Sequence, residues 1–400
     1  MKNMSRRQFL ATAGTGMGAM ALAGCGGSGS GSDSGSSAGT TSGDGIKIGV
    51  SIWSSTDALG KLSVDIVKRA ADVLGVEIQT VDQGHVSEQV TASIETLCAA
   101  GCQGIIVCNS ADSEMTSAIN TCNENGVYLA QFYRMISEEA SPDVYALAEA
   151  SQYYVGAVHE DEVGNGEKLI ELLSQDRDDV PEGIQKGARN IKLEAWTVGD
   201  ATFQLRWQGY QNGVEAWNAE HADDPMTLSE PSYANTSSTE GASVTEQFYN
   251  ADNTMDALIV AGGGGDPLVG SVGQLDNMGL SGKIRVVSTD FLDDLKERLE
   301  NGSMYAESGG HFCDPLYAFM LVYNAVKGNY AVSAGEFGKE ILFPYVFVSS
   351  VDEYEAYEEY FVNADPYNDE ELAALAEMDF DTLNEWATKL SIEDVMERHG

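Results

Sequence analysis

From residue 46 onward the chain alternates two apolar patterns. Short runs rich in β-branched residues occupy 46–52, 76–81, 104–108, 127–131 and 144–148, and each predicts a strand. Between them apolar residues recur at helical spacing. Leu59, Leu62, Ile66, Ala70 and Val73 mark one helix, ended by Gly75. Val90, Ile94, Leu97 and Cys98 mark a second, opened by Ser87, and Met115, Ile119 and Cys122 a third, opened by Ser110 or Asp112. The alternation resumes with strands at 191–198, 226–233, 257–261 and 285–288, and helices at 206–220, 244–249 and 269–278. Strands separated by helices predict parallel sheets covered on both faces. So many strands fit two doubly wound sheets better than one very wide sheet.

The pattern before residue 46 is of another kind. Ser5-Arg6-Arg7-Gln8-Phe9-Leu10 resembles a twin-arginine export signal. The stretch 11–23 is mildly apolar, interrupted by Gly14, Gly16 and Gly18, and too short to span a bilayer. Leu22-Ala23-Gly24-Cys25 resembles the lipobox of bacterial lipoproteins, which implies cleavage before Cys25 and a lipid on its thiol. Residues 26–45 are nearly all Gly, Ser and Thr, a composition that cannot bury a core and acts as a flexible tether. The expected order is signal (1–24), lipidated Cys25 and tether (25–45), then a folded body on the outer face of the cell membrane, held by lipid alone.

Charge narrows the partners. The chain carries 63 acidic and 22 basic residues, a formal charge of -41. Cleavage removes Lys2, Arg6 and Arg7 and no acidic residue, so the mature charge is 19 minus 63, or -44. Such a surface repels phosphates and offers nucleic acid no basic footprint. It also suits a soluble, monomeric body. The 5 histidines are scattered, and no Cys-x-x-Cys pair occurs, so neither a zinc site nor another metal site is expected, and no cofactor motif appears. After Cys25 there remain Cys98, Cys102, Cys108, Cys122 and Cys313; Cys98 and Cys122 fall on apolar helix faces and read as small core residues. An exported body permits a disulfide, but spacing does not give its connectivity.

Four segments, in order and spacing, resemble the type I periplasmic binding proteins, especially the ribose- and galactose-binding group, over roughly 46–350. They are the opening strand Ile46-Lys47-Ile48-Gly49-Val50-Ser51, the helix-to-strand segment from Gln89 to Val107, Arg206-Trp207-Gln208-Gly209-Tyr210, and Val286-Val287-Ser288-Thr289-Asp290. The resemblance implies two doubly wound parallel-sheet lobes joined by a three-segment hinge. By analogy the crossings fall near Ser151, Gly310 and Phe343. The first lobe is then 46–151 plus 310–343, and the second 152–309 plus 344–400, with the acidic, amphipathic tail after residue 368 packed on the second lobe.

The resemblance further implies a substrate-binding protein, not an enzyme, that captures a small polar solute, a sugar foremost, and delivers it to the permease of an ABC transporter. A nucleoside or another small metabolite, and delivery to a signalling receptor, stay open. No His-Glu-x-x-His or P-loop pattern occurs.

Ligands of open α/β sheets bind beyond the carboxyl ends of the strands. That places Trp53 and Ser55 after the first strand, Gln131 and Phe132 after the fourth, and Asp290 after 285–288. Trp53 suits stacking on a sugar face. By the resemblance, Gln131, Arg206 and Asp290 correspond to solute contacts, Arg206 supplying a planar fork of donors. His311, beside one of the crossings, is a further candidate. Gly262-Gly263-Gly264-Gly265 stands where the sugar-binding pattern has Asn-Asp, and around Gly264 bare backbone N–H groups are available to an anion or carbonyl, or form a plain tight turn.

Overall fold

The computed structural model describes residues 45–56, 58–84, 86–262, 266–330 and 338–400. The export signal, Cys25 and the tether lie outside the described residues, as does Gly264. The first half runs β1 (Lys47–Ile52), α1 (Ala58–Leu74), β2 (Glu77–Asp82), α2 (Ser87–Ala99), β3 (Gly104–Val107), α3 (Asp112–Asn125), β4 (Tyr128–Phe132), α4 (Pro142–Ala150), β5 (Tyr154–Glu160) and α5 (Glu162–Ser174). It continues with β6 (Asn190–Ala195), α6 (Ala201–Glu220), β7 (Thr227–Leu228), β8 (Ser232–Tyr233), α7 (Ser238–Ala251), β9 (Ala257–Val260), α8 (Asp266–Met278), β10 (Arg285–Thr289), α9 (Leu295–Asn301) and β11 (Ala306–Gly309). Then follow α10 (Asp314–Lys327), β12 (Lys339–Phe343), β13 (Val346–Val348), α11 (Val351–Tyr357), α12 (Asp369–Leu375), α13 (Phe380–Thr388) and α14 (Ile392–His399).

Two sheets result. One has the order β12-β5-β4-β3-β1-β2 and is parallel throughout. The other has the order β13-β11-β10-β9-β6-β7, with only β13 antiparallel, and β8 pairs with β6. The central strands β3, β9, β10 and β11 are buried at every residue, as strands covered by helices on both faces must be. In each sheet the strand order reverses once, between β1 and β3 and between β6 and β9. Those reversals open a crevice at the carboxyl ends.

The chain leaves the first sheet after Glu160, returns to it after Gly309 and leaves again after Phe343. The expected crossing at Ser151 is therefore corrected. The run 144–148 is helical, in α4, and the true fifth strand is β5, paired with β4. Tyr145 and Glu149 keep that run amphipathic rather than fully apolar, and Pro142 opens it as a helix, its missing N–H costing nothing at that position. The tail is a second correction. Arg69 of α1 pairs with Asp365 and Asp369, the Tyr317 and Tyr367 hydroxyls meet at 2.7 Å, and Lys339 Nζ lies 4.7 Å from the Phe380 ring centre. The segments 365–388 thus dock on the first-sheet lobe. Only the start of the C-terminal part stays with the second, where Lys296 of α9 pairs with Glu355 of α11 at 2.8 Å.

Candidate functional site

A cavity of about 400 Å³ lies where the carboxyl ends of the two sheets face each other. Trp53 follows β1, Asn109 and Ser110 follow β3, and Tyr133 and Arg134 follow β4. Glu160 and Glu162 flank the first crossing, His311 the second and Tyr345 the third. From the second lobe come Trp196, Asp200, Thr202, Arg206 and Asp290. Grooves of about 620 and 520 Å³ run along the outer face of α6. Their lining comes from the second lobe alone, whereas the smaller cavity gathers buried charge from both lobes.

One wall is aromatic. The Trp53 and Tyr133 rings are 5.6 Å apart, Tyr133 and His311 5.5 Å, and His311 and Tyr345 5.0 Å. The row runs from the first lobe across the hinge. Tyr133 (φ 60°) and Asp290 (φ 80°) both hold left-handed backbone, an arrangement that side chains adopt only when their surroundings enforce it. The Tyr133 hydroxyl meets Ser63 Oγ at 2.7 Å, and Asp290 N donates to the Ser308 carbonyl at 2.8 Å, which anchors the two turns.

Arg206 sits at the centre and is 5% exposed. Its Nε donates to Glu162 Oε2 at 2.5 Å and its Nη2 to Glu162 Oε1 at 3.1 Å. Nη2 also donates to the Tyr345 hydroxyl at 2.9 Å, and Nη1 to the Ala261 carbonyl at 2.7 Å. Of five N–H groups, one on Nη1 is left for a solute. Burial works against the guanidinium's charge, but Glu162, Tyr345 and Asp290 override it and hold the group well above the ordinary arginine value. Arg206 thereby ties α6 to the first and third crossings. Gly262 is required beside it, because a Cβ there would lie 2.6 Å from Nη1.

Two acids are left in awkward surroundings. Glu160 is 7% exposed, and burial pushes its carboxyl up. His311 Nε2 stands 3.8 Å from Glu160 Oε1 and 3.7 Å from Asp290 Oδ1. Below them Asp314 is fully buried, neither of its carboxyl oxygens has a partner, and burial followed by the charges of Glu160 and Glu162 pushes it far up.

Trp53, Arg206, Asp290 and His311 of the expected residues line the cavity together. Three others do not reach it. Gln131 is fully buried, donating from Nε2 to Asn109 Oδ1 at 2.6 Å and accepting from the Tyr154 hydroxyl at 2.7 Å. It thus holds Asn109, which does line the cavity. Phe132 is core, because β4 runs one residue further than the expected strand 127–131. Ser55 lies on the rim, its hydroxyl donating to Asp82 at 2.9 Å. Tyr133, Arg134, Glu160, Glu162, Asp200 and Tyr345 were missed. Tyr133 and Arg134 had a signal, being the next two residues after the strand end. Among the described residues no cluster of His, Cys, Asp and Glu is arranged to hold a metal ion, and no helix is long and apolar enough to cross a membrane.

No family model matches the chain, and no curated protein matches it. Solved structures do. A galactofuranose binding protein superposes with a TM-score of 0.61 at 16% identity, over 80% of this chain and 99% of that one. The fold is that of the type I periplasmic binding proteins. A solute binding protein of an ABC transporter from Bacillus halodurans C-125, with bound myo-inositol, gives a TM-score of 0.58 at 19% identity, over 79% of this chain and 99% of that one. A twin-arginine translocation pathway signal protein from Burkholderia phytofirmans gives 0.61 at 14% identity, covering 80% and 94%. At these identities the likeness carries the architecture, and the chemistry has to come from the cavity itself.

Proposed function

We propose that this chain is an exported solute-binding protein that captures a small polar solute, a sugar, between its two lobes and delivers it to the permease of an ABC transporter. The observation that carries the reading is the placement of the cavity: it lies at the carboxyl ends of both sheets, beside all three crossings, with polar groups and rings from each lobe. A solute held there touches both lobes, so its contacts favour the closed arrangement over an open one, and a permease can tell loaded protein from empty. Trp53 offers a stacking face; Asn109, Asp290 and the free Nη1 proton of Arg206 offer hydrogen-bond partners of both kinds. The galactofuranose binding protein and the solute binding protein with bound myo-inositol that share this fold support the solute class. Export by the twin-arginine route, a lipid on Cys25 and a monomeric body complete the reading.

A thermal-shift screen of hexoses, pentoses and cyclitols tests it. A true ligand at one hundred times its Kd stabilises by about 2.7 kcal/mol. A clear rise in melting temperature with one member is the expected result; an unmoved transition across the whole panel overturns the sugar-capture reading. Replacing Cys25 by serine should release the body from the membrane fraction, and a variant that stays in that fraction rules out the lipid anchor.

A further inference from the structure

Four carboxylates, Glu160, Glu162, Asp200 and Asp290, line the cleft against two guanidiniums, Arg134 and Arg206. The protein's own pairing makes the imbalance sharper. Glu162 consumes Arg206 through two hydrogen bonds. Arg134 donates from Nη1 to the Tyr133 carbonyl at 2.7 Å, and no carboxylate among the described residues lies within ion-pair reach of it. Asp200 is occupied at the start of α6, where its Oδ1 accepts from Phe203 N at 2.9 Å. That leaves Glu160 and Asp290.

Glu160 is the decisive group. Its side chain is 6% exposed, lines the cavity, and has no side-chain hydrogen bond to another residue among those described; the His311 imidazole Nε2 stands at 3.8 Å, within ion-pair distance but beyond hydrogen-bond reach. The same nitrogen misses Asp290 Oδ1 at 3.7 Å, and His311 Nδ1 is buried without a partner. Two acids therefore face one space and share the single His311 imidazole, which is hydrogen-bonded to neither. A buried carboxylate left so is costly, and a positive charge with N–H donors removes that cost. The Trp53, Tyr133 and Tyr345 rings around the cavity favour a cation as well.

We propose that the cleft selects a solute bearing a protonated amine, an amino sugar over its neutral parent, with the ammonium between Glu160 and Asp290. This rests on the reading of the cleft as a sugar-capture site. A neutral hydroxyl can hydrogen-bond either carboxylate but brings no charge to the pair, so the amine carries the selectivity.

Calorimetric titration of the purified chain with D-glucosamine, D-galactosamine and D-mannosamine, their neutral parents and their N-acetyl derivatives tests the proposal. It is run at about pH 6.5, where a sugar amine is protonated. The expected result is an amino sugar bound at least about tenfold more tightly than its parent and its N-acetyl form. Glu160→Gln should pull that ratio toward one while leaving binding of the neutral parents measurable. A neutral parent bound as tightly as its amine overturns the proposal and leaves sugar capture standing. No binding by any of the nine sugars overturns the proposal, and sugar capture falls with it when the pentoses and cyclitols of the thermal-shift panel also leave the transition unmoved.

Discussion

The ion pair between Arg206 and Glu162 should be the most heavily coupled contact in the second lobe. Both residues are nearly fully buried, at 5% and 7% exposure. Arg206→Met removes the charge and keeps much of the volume, and leaves the Glu162 carboxylate with only the Tyr345 hydroxyl, at 3.1 Å. Breaking one side of such a buried pair costs about 3–5 kcal/mol. Glu162→Gln is milder, about 2–3 kcal/mol, because Arg206 keeps its bonds to Ala261 and Tyr345. In the double variant the orphaned charge is gone from both sides, so the total should fall short of the sum by about 2 kcal/mol. Urea unfolding, followed by far-ultraviolet circular dichroism and tryptophan fluorescence, measures all four proteins; coincident transitions license the free energies. If the two single costs add to within about 0.5 kcal/mol in the double variant, the pair is not coupled and the clamp from α6 to the first and third crossings is refuted.

Glu194 gives a pH test. It is fully buried in β6, accepts hydrogen bonds from Ser271 at 2.9 Å and Thr245 at 3.3 Å, and burial pushes its carboxyl up to about 8. The folded state therefore keeps a proton that the unfolded chain loses near pH 4.5, so this group's contribution to stability falls between about pH 4.5 and 8 and is flat above, a loss of roughly 5 kcal/mol. Glu194→Gln should flatten the unfolding free energy over that window, and an unchanged slope would show that Glu194 is not the source. Gly209→Ala would bring a Cβ to 2.1 Å from the Val163 carbonyl, where α5 and α6 cross. It should cost about 1–3 kcal/mol in the same urea assay, and a neutral result would mean that the two helices part without strain.

The alternation of strands and helices was legible because buried parallel strands are short and apolar while the covering helices keep one polar face. It failed at 144–148, where Val144, Tyr145 and Leu147 mimic a strand within a nine-residue helix. That single error displaced the first crossing and hid Glu160 and Glu162, which sit at the end of the real β5. Trp53, Arg206, Asp290 and His311 were legible as strand ends or family positions. Gln131 was not, because burial depends on where β4 stops, and a shift of two residues decides between Gln131 and Tyr133. Tyr345 had no local signal at all; a third crossing three hundred residues from the first strand brings it to Arg206. The tail's docking was unreadable for a similar reason, since its apolar stripe fits either lobe and Arg69 chooses the first.

Amide hydrogen exchange on the purified chain, with and without the sugar that raises the melting temperature most, tests the central claim directly. The account predicts slowed exchange on both lobes at once: at the ends of β3 and β4 around Asn109 and Arg134, and at the end of β10 and the second crossing around Asp290 and His311. Protection confined to one lobe, or to the outer face of α6, would contradict it.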